Sequence, residues 1–262
     1  MALKNKKSLG QHWLHDRAVL SHIADSANLN ERDTVLEIGP GLGTLTSELL
    51  RRAGKVVAVE FDSELARKLP GQFPGKNLEV INQDILKFDL SSLPVGYKVV
   101  ANVPYYITSK IIQMLMTAEN KPAITVLLVQ KEVAQRLAAR PGQMSILAVS
   151  AQVFADVSLG DLVPARLFIP PPKVDSQVVI LKIKEKLFFE DINEIEFFRI
   201  VKAGFSAKRK KLRSSLSGGL KMSKLEVENI LQKANISPDV RAEALALDDW
   251  VRLLKKINLK NI

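Results

Sequence analysis

A chain of 262 residues with 47% apolar side chains is long enough to bury one large domain, or a main domain with a small appendage. Its net charge of +10 points to a polyanionic partner, nucleic acid before an acidic membrane surface, with a plainly solvated basic exterior as the bland alternative. Having no cysteine, it excludes disulfides, Cys-zinc sites, iron–sulfur clusters and thiol nucleophiles and suits a reducing cytoplasm. No apolar run approaches the roughly 18 residues of a membrane span. The opening "MALKNKKSLGQHWL" has lysines with no apolar core after them, so no signal peptide is expected.

In chain order, the period predicts a helix over 17–28, then short β-rich runs alternating with helices. The strands fall at 34–39, 55–60, 77–82, 97–102 and 123–130, and the helices at 44–53, 62–69, 108–118 and 131–139. Near-continuous apolar strands between helices predict an α/β fold with a mostly parallel sheet covered on both faces. A short helix is expected over 143–150, and residues 151–158 and 177–184 are expected to form an antiparallel pair closing one edge. Beyond about residue 186 the period is helical, with breaks at "SGG" (217–219) and "SPD" (237–239). The expected division is therefore 1–186 as the α/β domain and 187–262 as a small all-helical domain.

The ends of the strands carry the chemistry. "VLEIGPGLGTLT" follows the first strand and opens a helix, so Gly39, Gly41 and Gly43 allow a close backbone approach at a helix start. Thr44 stands where the dinucleotide fingerprint has its third glycine, which disfavours a nicotinamide dehydrogenase. Glu60, followed by Phe61, ends the second strand and is placed to accept ribose hydroxyls. Asp84, with Ile85, ends the third and is placed for an adenine amine. Asn102-Val103-Pro104-Tyr105 ends the fourth. An exocyclic amine is a poor nucleophile until its hydrogens are accepted and its lone pair is aimed. The Asn102 oxygen and a backbone carbonyl supply acceptors, Pro104 stiffens the corner, and Tyr105 offers a face for a base to stack on. Glu60 or Asp84 taken alone is equally a helix cap, and "NVPYY" taken alone a strand-to-helix turn. His12, His15 and His22 have a spacing compatible with metal, but no acidic cluster accompanies them, so no metal site is expected.

Together, "EIGPGLGTLT" and "NVPYYITSKI" closely resemble the KsgA/RsmA family of ribosomal RNA adenine dimethyltransferases, class I S-adenosylmethionine-dependent enzymes. "SLGQHWLHD", "QKEVAQRL", "FIPPPKVDSQVV", "AGFSAKRKKLRSSL" and "RAEAL" resemble further blocks of that family, so the likeness spans nearly the whole chain. It implies a Rossmann-like methyltransferase fold with a seven-stranded sheet, S-adenosyl-L-methionine as cofactor, and small-subunit rRNA or its precursor particle as partner. The implied reaction forms N6,N6-dimethyladenosine at two adjacent adenosines near the rRNA 3′ end. A cytoplasmic monomer with no membrane role is expected, since nothing in the sequence indicates an oligomer. Gln11, His12 and Leu14 would meet the cofactor alongside Gly39, Glu60, Asp84 and Asn102. Phe168 would stack on the target base opposite Tyr105. His12 replaces the family's usual Asn and Trp13 its usual Phe, which places one cofactor contact in question.

Lys202, Lys208, Arg209, Lys210, Lys211 and Arg213 form a run without an acid, expected to be helical and to neutralise RNA phosphates; a solvated lysine-rich helix is the alternative. Lys4, Lys6 and Lys7 would add a mobile arm. Two other functions compete: an enzyme methylating a large-subunit adenosine, as resistance enzymes do, and a non-enzymatic assembly or transcription factor on the same fold.

Overall fold

The computed structural model describes residues 11–185, 188 and 192–257. Lys4, Lys6 and Lys7 lie outside the described residues. By contacts the chain divides into two units, one of residues up to Gln135 with Ala155–Ile183, the other of Arg136–Phe154 with the residues from Lys184 on.

The first unit is an α/β layer structure. After a two-residue strand β1 (Trp13–Leu14) and helix α1 (Arg17–Asp25) come β2 (Thr34–Ile38), α2 (Thr44–Leu49), β3 (Lys55–Glu60), α3 (Ser63–Lys68) and β4 (Leu78–Asn82). Then follow β5 (Lys98–Asn102), α4 (Thr108–Thr117), β6 (Ile124–Gln130), α5 (Lys131–Leu137), β7 (Ala155–Val163), β8 (Phe168–Ile169) and β9 (Ser176–Ile183). The seven-stranded sheet runs β4-β3-β2-β5-β6-β9-β7, parallel through β6, with β9 and β7 antiparallel at the edge. Val35–Ile38 of β2, Val56–Glu60 of β3 and Val99–Ala101 of β5 are buried, as expected for strands covered on both faces.

This order places the site. β2 is central, with β3 on one side and β5 on the other, so the chain reverses its winding between β2 and β5. A crevice opens outside the carboxyl ends of strands at such a switch point. The glycine turn after β2 and Asn102 at the end of β5 are therefore neighbours across it. Beneath the crevice, Leu14, Leu20, Ile23, Leu45 and Leu49 pack with Val35, Val100 and Val126.

The second unit contains α6 (Ile146–Gln152), α7 (Glu194–Phe205), α8 (Leu212–Leu220), α9 (Lys224–Lys233) and α10 (Leu247–Leu254). Residues 136–154, which the boundary at 186 assigns to the α/β domain, group with these helices instead. Ala148, Val149 and Ala151 of α6 are buried, and the Gly142 and Met144 N–H groups both donate to the Glu243 carbonyl. Trp250 is fully buried and its ring lies 5.6 Å from that of Phe205. α9 begins with a capping box in which Ser223 and Glu226 exchange hydrogen bonds. The "SGG" expected to break a helix lies inside α8. A side chain at Gly219 would stand 2.6 Å from the Ala203 Cβ, so the glycine lets α7 and α8 approach closely. Among the described residues no helix is long and apolar enough to cross a membrane.

Candidate functional site

One cleft gathers most of the predicted residues. Its wall includes Gln11, His12 and Leu14 from the amino-terminal segment, Gly39 and Gly41 from the turn after β2, and Glu60 and Phe61 from the end of β3. Asp84 and Ile85 enter after β4, and Asn102, Pro104 and Tyr105 after β5.

The glycine turn works by backbone shape. Gly39 and Gly41 both hold positive φ, at +66° and +58°, where side-chain-bearing residues are strained. No atom lies within 4 Å of where a Cβ at Gly39 would stand, so that position is open space against the cleft. A Cβ at Gly41 would meet the Trp13 indole nitrogen at 3.3 Å. Gly43, expected to touch the cofactor, is not part of the cleft wall. Its Cβ would strike Leu69 at 2.8 Å and Phe73 at 3.0 Å, so this glycine serves packing behind the turn. Thr44 uses its hydroxyl to donate to the Leu14 carbonyl at 3.0 Å, tying the amino-terminal segment to the start of α2.

The acids are fixed before any ligand arrives. Glu60 is buried, and its two oxygens accept the N–H groups of Gly41 at 3.1 Å and Asp62 at 2.8 Å. Burial raises its pKa, and those backbone donors oppose the rise. Asp84 Oδ1 accepts the Leu86 N–H at 3.0 Å, capping the short turn Ile85–Lys87. Glu37, on β2, also lines the cleft, and among the described residues no lysine or arginine does. A chain of net charge +10 has thus built an acidic cleft, which suits a cationic ligand.

Asn102 is clamped. Its Nδ2 donates to the His12 carbonyl at 3.2 Å, and since that carbonyl can only accept, Oδ1 must face the other way. His12 Nδ1 lies 2.8 Å from the Pro170 carbonyl and must likewise donate, so Nδ1 carries a hydrogen. The His12 ring is stacked on Tyr105 with centroids 5.9 Å apart and planes 21° from parallel. Thus His12 is tied into the cleft by backbone contacts and a ring contact. The Tyr105 hydroxyl pairs with Ser176 Oγ at 2.7 Å, and burial pushes its pKa up, keeping it a phenol.

Phe168 is not a stacking platform here. It is 1% exposed, lies outside the cleft wall and packs in the core beside Leu14, to which the β1–β8 ladder pairs it. That ladder alternates, so Phe168 turns inward and Ile169 outward. Tyr106, which reads from the sequence as packing only, is instead 65% exposed and lines the cleft. Its signal was its place directly after the Asn-Val-Pro-Tyr corner.

The basic run is also rearranged. α7 ends at Phe205 and α8 begins at Leu212, so Lys208, Arg209 and Lys210 stand exposed on a turn rather than a helix. Lys202 is exposed on the last turn of α7. Lys211 pairs with Asp239 at 2.9 Å, and Arg213 pairs with Glu228 at 2.7 Å and lies 3.6 Å from Asp239. Those two cations of the six are committed inside the unit.

Comparison with known proteins gives a consistent set. The profile of the ribosomal RNA adenine dimethylase family matches residues 2–259. A ribosomal RNA small subunit methyltransferase A of Dehalococcoides mccartyi is 43% identical over 255 residues, covering 96% of this chain and 88% of that one. Its counterpart in Clostridioides difficile is 39% identical over 268 residues, covering 98% and 92%. Among solved structures, a dimethyladenosine transferase from Plasmodium falciparum superposes with a TM-score of 0.83 at 30% identity, covering 96% of this chain and 99% of that one. The 23S rRNA methyltransferase ErmE superposes with a TM-score of 0.76, also at 30% identity, covering 94% and 99%.

Proposed function

The chain belongs to the ribosomal RNA adenine dimethylase family, and from that premise we propose that its cleft dimethylates the N6 amines of two adjacent adenosines near the 3′ end of small-subunit rRNA. The relatives with the higher identity are small-subunit enzymes, which favours this over the large-subunit alternative. A ribosomal substrate implies work in the cytoplasm, on small-subunit precursors.

The cleft fits S-adenosylmethionine. Its carboxylates with no lysine or arginine match a sulfonium and an ammonium, and the space at Gly39 leaves room for close backbone approach. Glu60 accepts the ribose hydroxyls, Asp84 the adenine amine, and Gln11, His12, Leu14, Phe61 and Ile85 complete the wall. When bound, the cofactor supplies an activated methyl electrophile.

The chain's own residues then align the acceptor. Asn102 Oδ1 takes one hydrogen of the target N6 amine, and a backbone carbonyl of the Asn102–Tyr105 corner takes the other. The nitrogen lone pair is thereby freed from the ring and aimed. Tyr105 supports the base, and Tyr106 offers an exposed face at the mouth. The proton becomes acidic only once nitrogen carries the methyl, so no strong base is needed, and catalysis is chiefly alignment. On the helical unit, Lys202, Lys208, Arg209 and Lys210 neutralise RNA phosphates, with Lys211 and Arg213 holding the turn that presents them.

The observation that carries this reading is the clamp on Asn102, whose amide is fixed by the His12 carbonyl with its oxygen left for an incoming donor. Incubation with labelled S-adenosylmethionine and undermethylated small subunits tests it. Label at two adjacent adenosines near the 3′ end is expected. Label on large-subunit RNA alone, or none, overturns it.

A further inference from the structure

Glu37 is the group in the cleft without an assigned task. It sits on β2, is 1% exposed, and its Oε2 closes no hydrogen bond among the described residues. Glu60, by contrast, is held by two backbone N–H donors. Hydrogen bonds to a carboxylate favour its charged form, and burial without them favours the neutral acid.

We propose that Glu37 is a neutral acid in the free protein and surrenders its proton when the cationic methyl donor enters, so that cofactor binding is linked to deprotonation. The proposal rests on the reading of the cleft given above. The O–H bond of Glu37 breaks and the proton passes to solvent. No other bond changes.

The surroundings of Glu37 support this. From β3, Glu60 presents a second negative charge. From α2, the Thr46 hydroxyl faces the carboxyl and offsets part of the burial, although neither Thr46 Oγ1 nor Glu37 Oε2 closes a hydrogen bond. The same cleft is also lined by Asp84 after β4, His12 of the amino-terminal segment, and Tyr105 and Tyr106 after β5. Among the described residues no lysine or arginine lines the space. Burial foremost, with the Glu60 charge adding to it, pushes the Glu37 carboxyl up to about 8. A ligand carrying a sulfonium and an ammonium reverses that balance, because an opposite charge nearby favours the ionised acid.

The sign follows from linkage. If binding lowers the pKa of Glu37, protons are released on binding, and affinity rises with pH until the free protein has itself lost the proton near pH 8. While one proton is released, the rise is about tenfold per pH unit.

Calorimetric titration of the full chain with S-adenosylmethionine, in two buffers of different ionisation enthalpy, counts the protons. At roughly pH 6.5 the ligand's own α-ammonium, ordinarily of pKa ~7.7–8.0, keeps its proton, so any proton released comes from the protein. The expected result is about one proton per cofactor bound. S-adenosylhomocysteine, lacking the sulfonium charge, should release fewer. Glu37→Gln should still bind and release close to none. Binding by the unmodified chain without proton release overturns the proposal, whether or not the variant folds. Release that persists undiminished in Glu37→Gln overturns it too, and moves the proton to another group such as His12. No binding at all by the unmodified chain overturns the cleft reading itself.

Discussion

In the cleft, Glu37, Glu60 and Asp84 converge and no lysine or arginine lines the wall, while in the turn between α7 and α8, Lys208, Arg209 and Lys210 stand exposed with no ion pair among the described residues. In the cleft, Glu60 and Asp84 are fixed by backbone N–H donors and Asn102 by the His12 carbonyl. The turn is built from long side chains whose tips are in water. The first arrangement suits chemistry that needs alignment. The second suits attraction to a uniform row of phosphates, which needs charge and little geometry. The net charge of +10 describes only the second region, so a whole-chain charge says nothing about the character of an active cleft.

Perturbing each region separately tests this contrast. The largest effect is expected from Asn102→Ala. Its hydrogen bond strengthens as charge develops on the target nitrogen, and losing such a contact typically costs ~10²–10³ in rate. Single-turnover methyl transfer should fall by about that factor while RNA affinity barely moves. Next comes Glu60→Gln, which keeps the shape but removes a charged acceptor of hydroxyls. Each such bond is worth ~1.5–3 kcal/mol, so calorimetry should show cofactor affinity down by roughly tenfold or more. RNA binding should be unaltered.

The triple change of Lys208, Arg209 and Lys210 to Ala should act only on RNA. Each lost phosphate contact lowers the log–log salt slope by ~0.9 for a duplex, and cofactor affinity should stay put. Lys211→Ala is the sharpening control. Its exposed pair with Asp239 is screened by water, so stability should drop slightly and the salt slope should hold. A slope change equal to that of a neighbouring lysine would show that Lys211 leaves Asp239 for RNA.

Stability against pH separates the two regions once more. The folded-state pKa of Glu37 lies above its unfolded value, so the stability it lends is fully present below about pH 4.5 and is lost as pH rises through about 8. Unfolding of the cofactor-free chain should show that decline in this window. Glu37→Gln should flatten it. Changes at the basic turn should leave it unaltered.

Much of this was legible in the sequence because period-2 and period-3.6 patterns repeat over many residues. The five parallel strands end where the apolar runs end, and so Gly39, Glu60, Asp84 and Asn102 could be placed on one crevice. What was not legible depends on contacts between distant segments. The pairing of Trp13–Leu14 with Phe168–Ile169 involves two-residue strands with no period to detect, yet it decides that Phe168 faces the core. Gly43 reads like its two neighbours in the motif, and only Leu69 and Phe73 behind it reveal a packing role. Lys208–Lys210 fit a helical run by composition, but α7 stops at Phe205 and the chain turns there. Gly218 and Gly219 resemble a break, but both lie inside α8, and the neighbouring α7 shows why Gly219 must be small, whereas Gly218 faces open space. The burial of Glu37 follows from a strand covered on both faces, but its missing hydrogen bond does not.

The central claim is that alignment in the cleft and attachment at the basic turn are separate properties. A double-mutant cycle tests it most directly, with Asn102→Ala and the Lys208/Arg209/Lys210 triple alanine alone and combined. Single-turnover methyl transfer is measured at saturating RNA and cofactor, and RNA affinity alongside. The account predicts that the rate loss belongs to Asn102→Ala and the affinity loss to the triple variant, and that the two add in free energy within ~0.5 kcal/mol. A triple variant that slows methyl transfer at saturating RNA, or an Asn102→Ala that transfers within a few-fold of the parent, would contradict it.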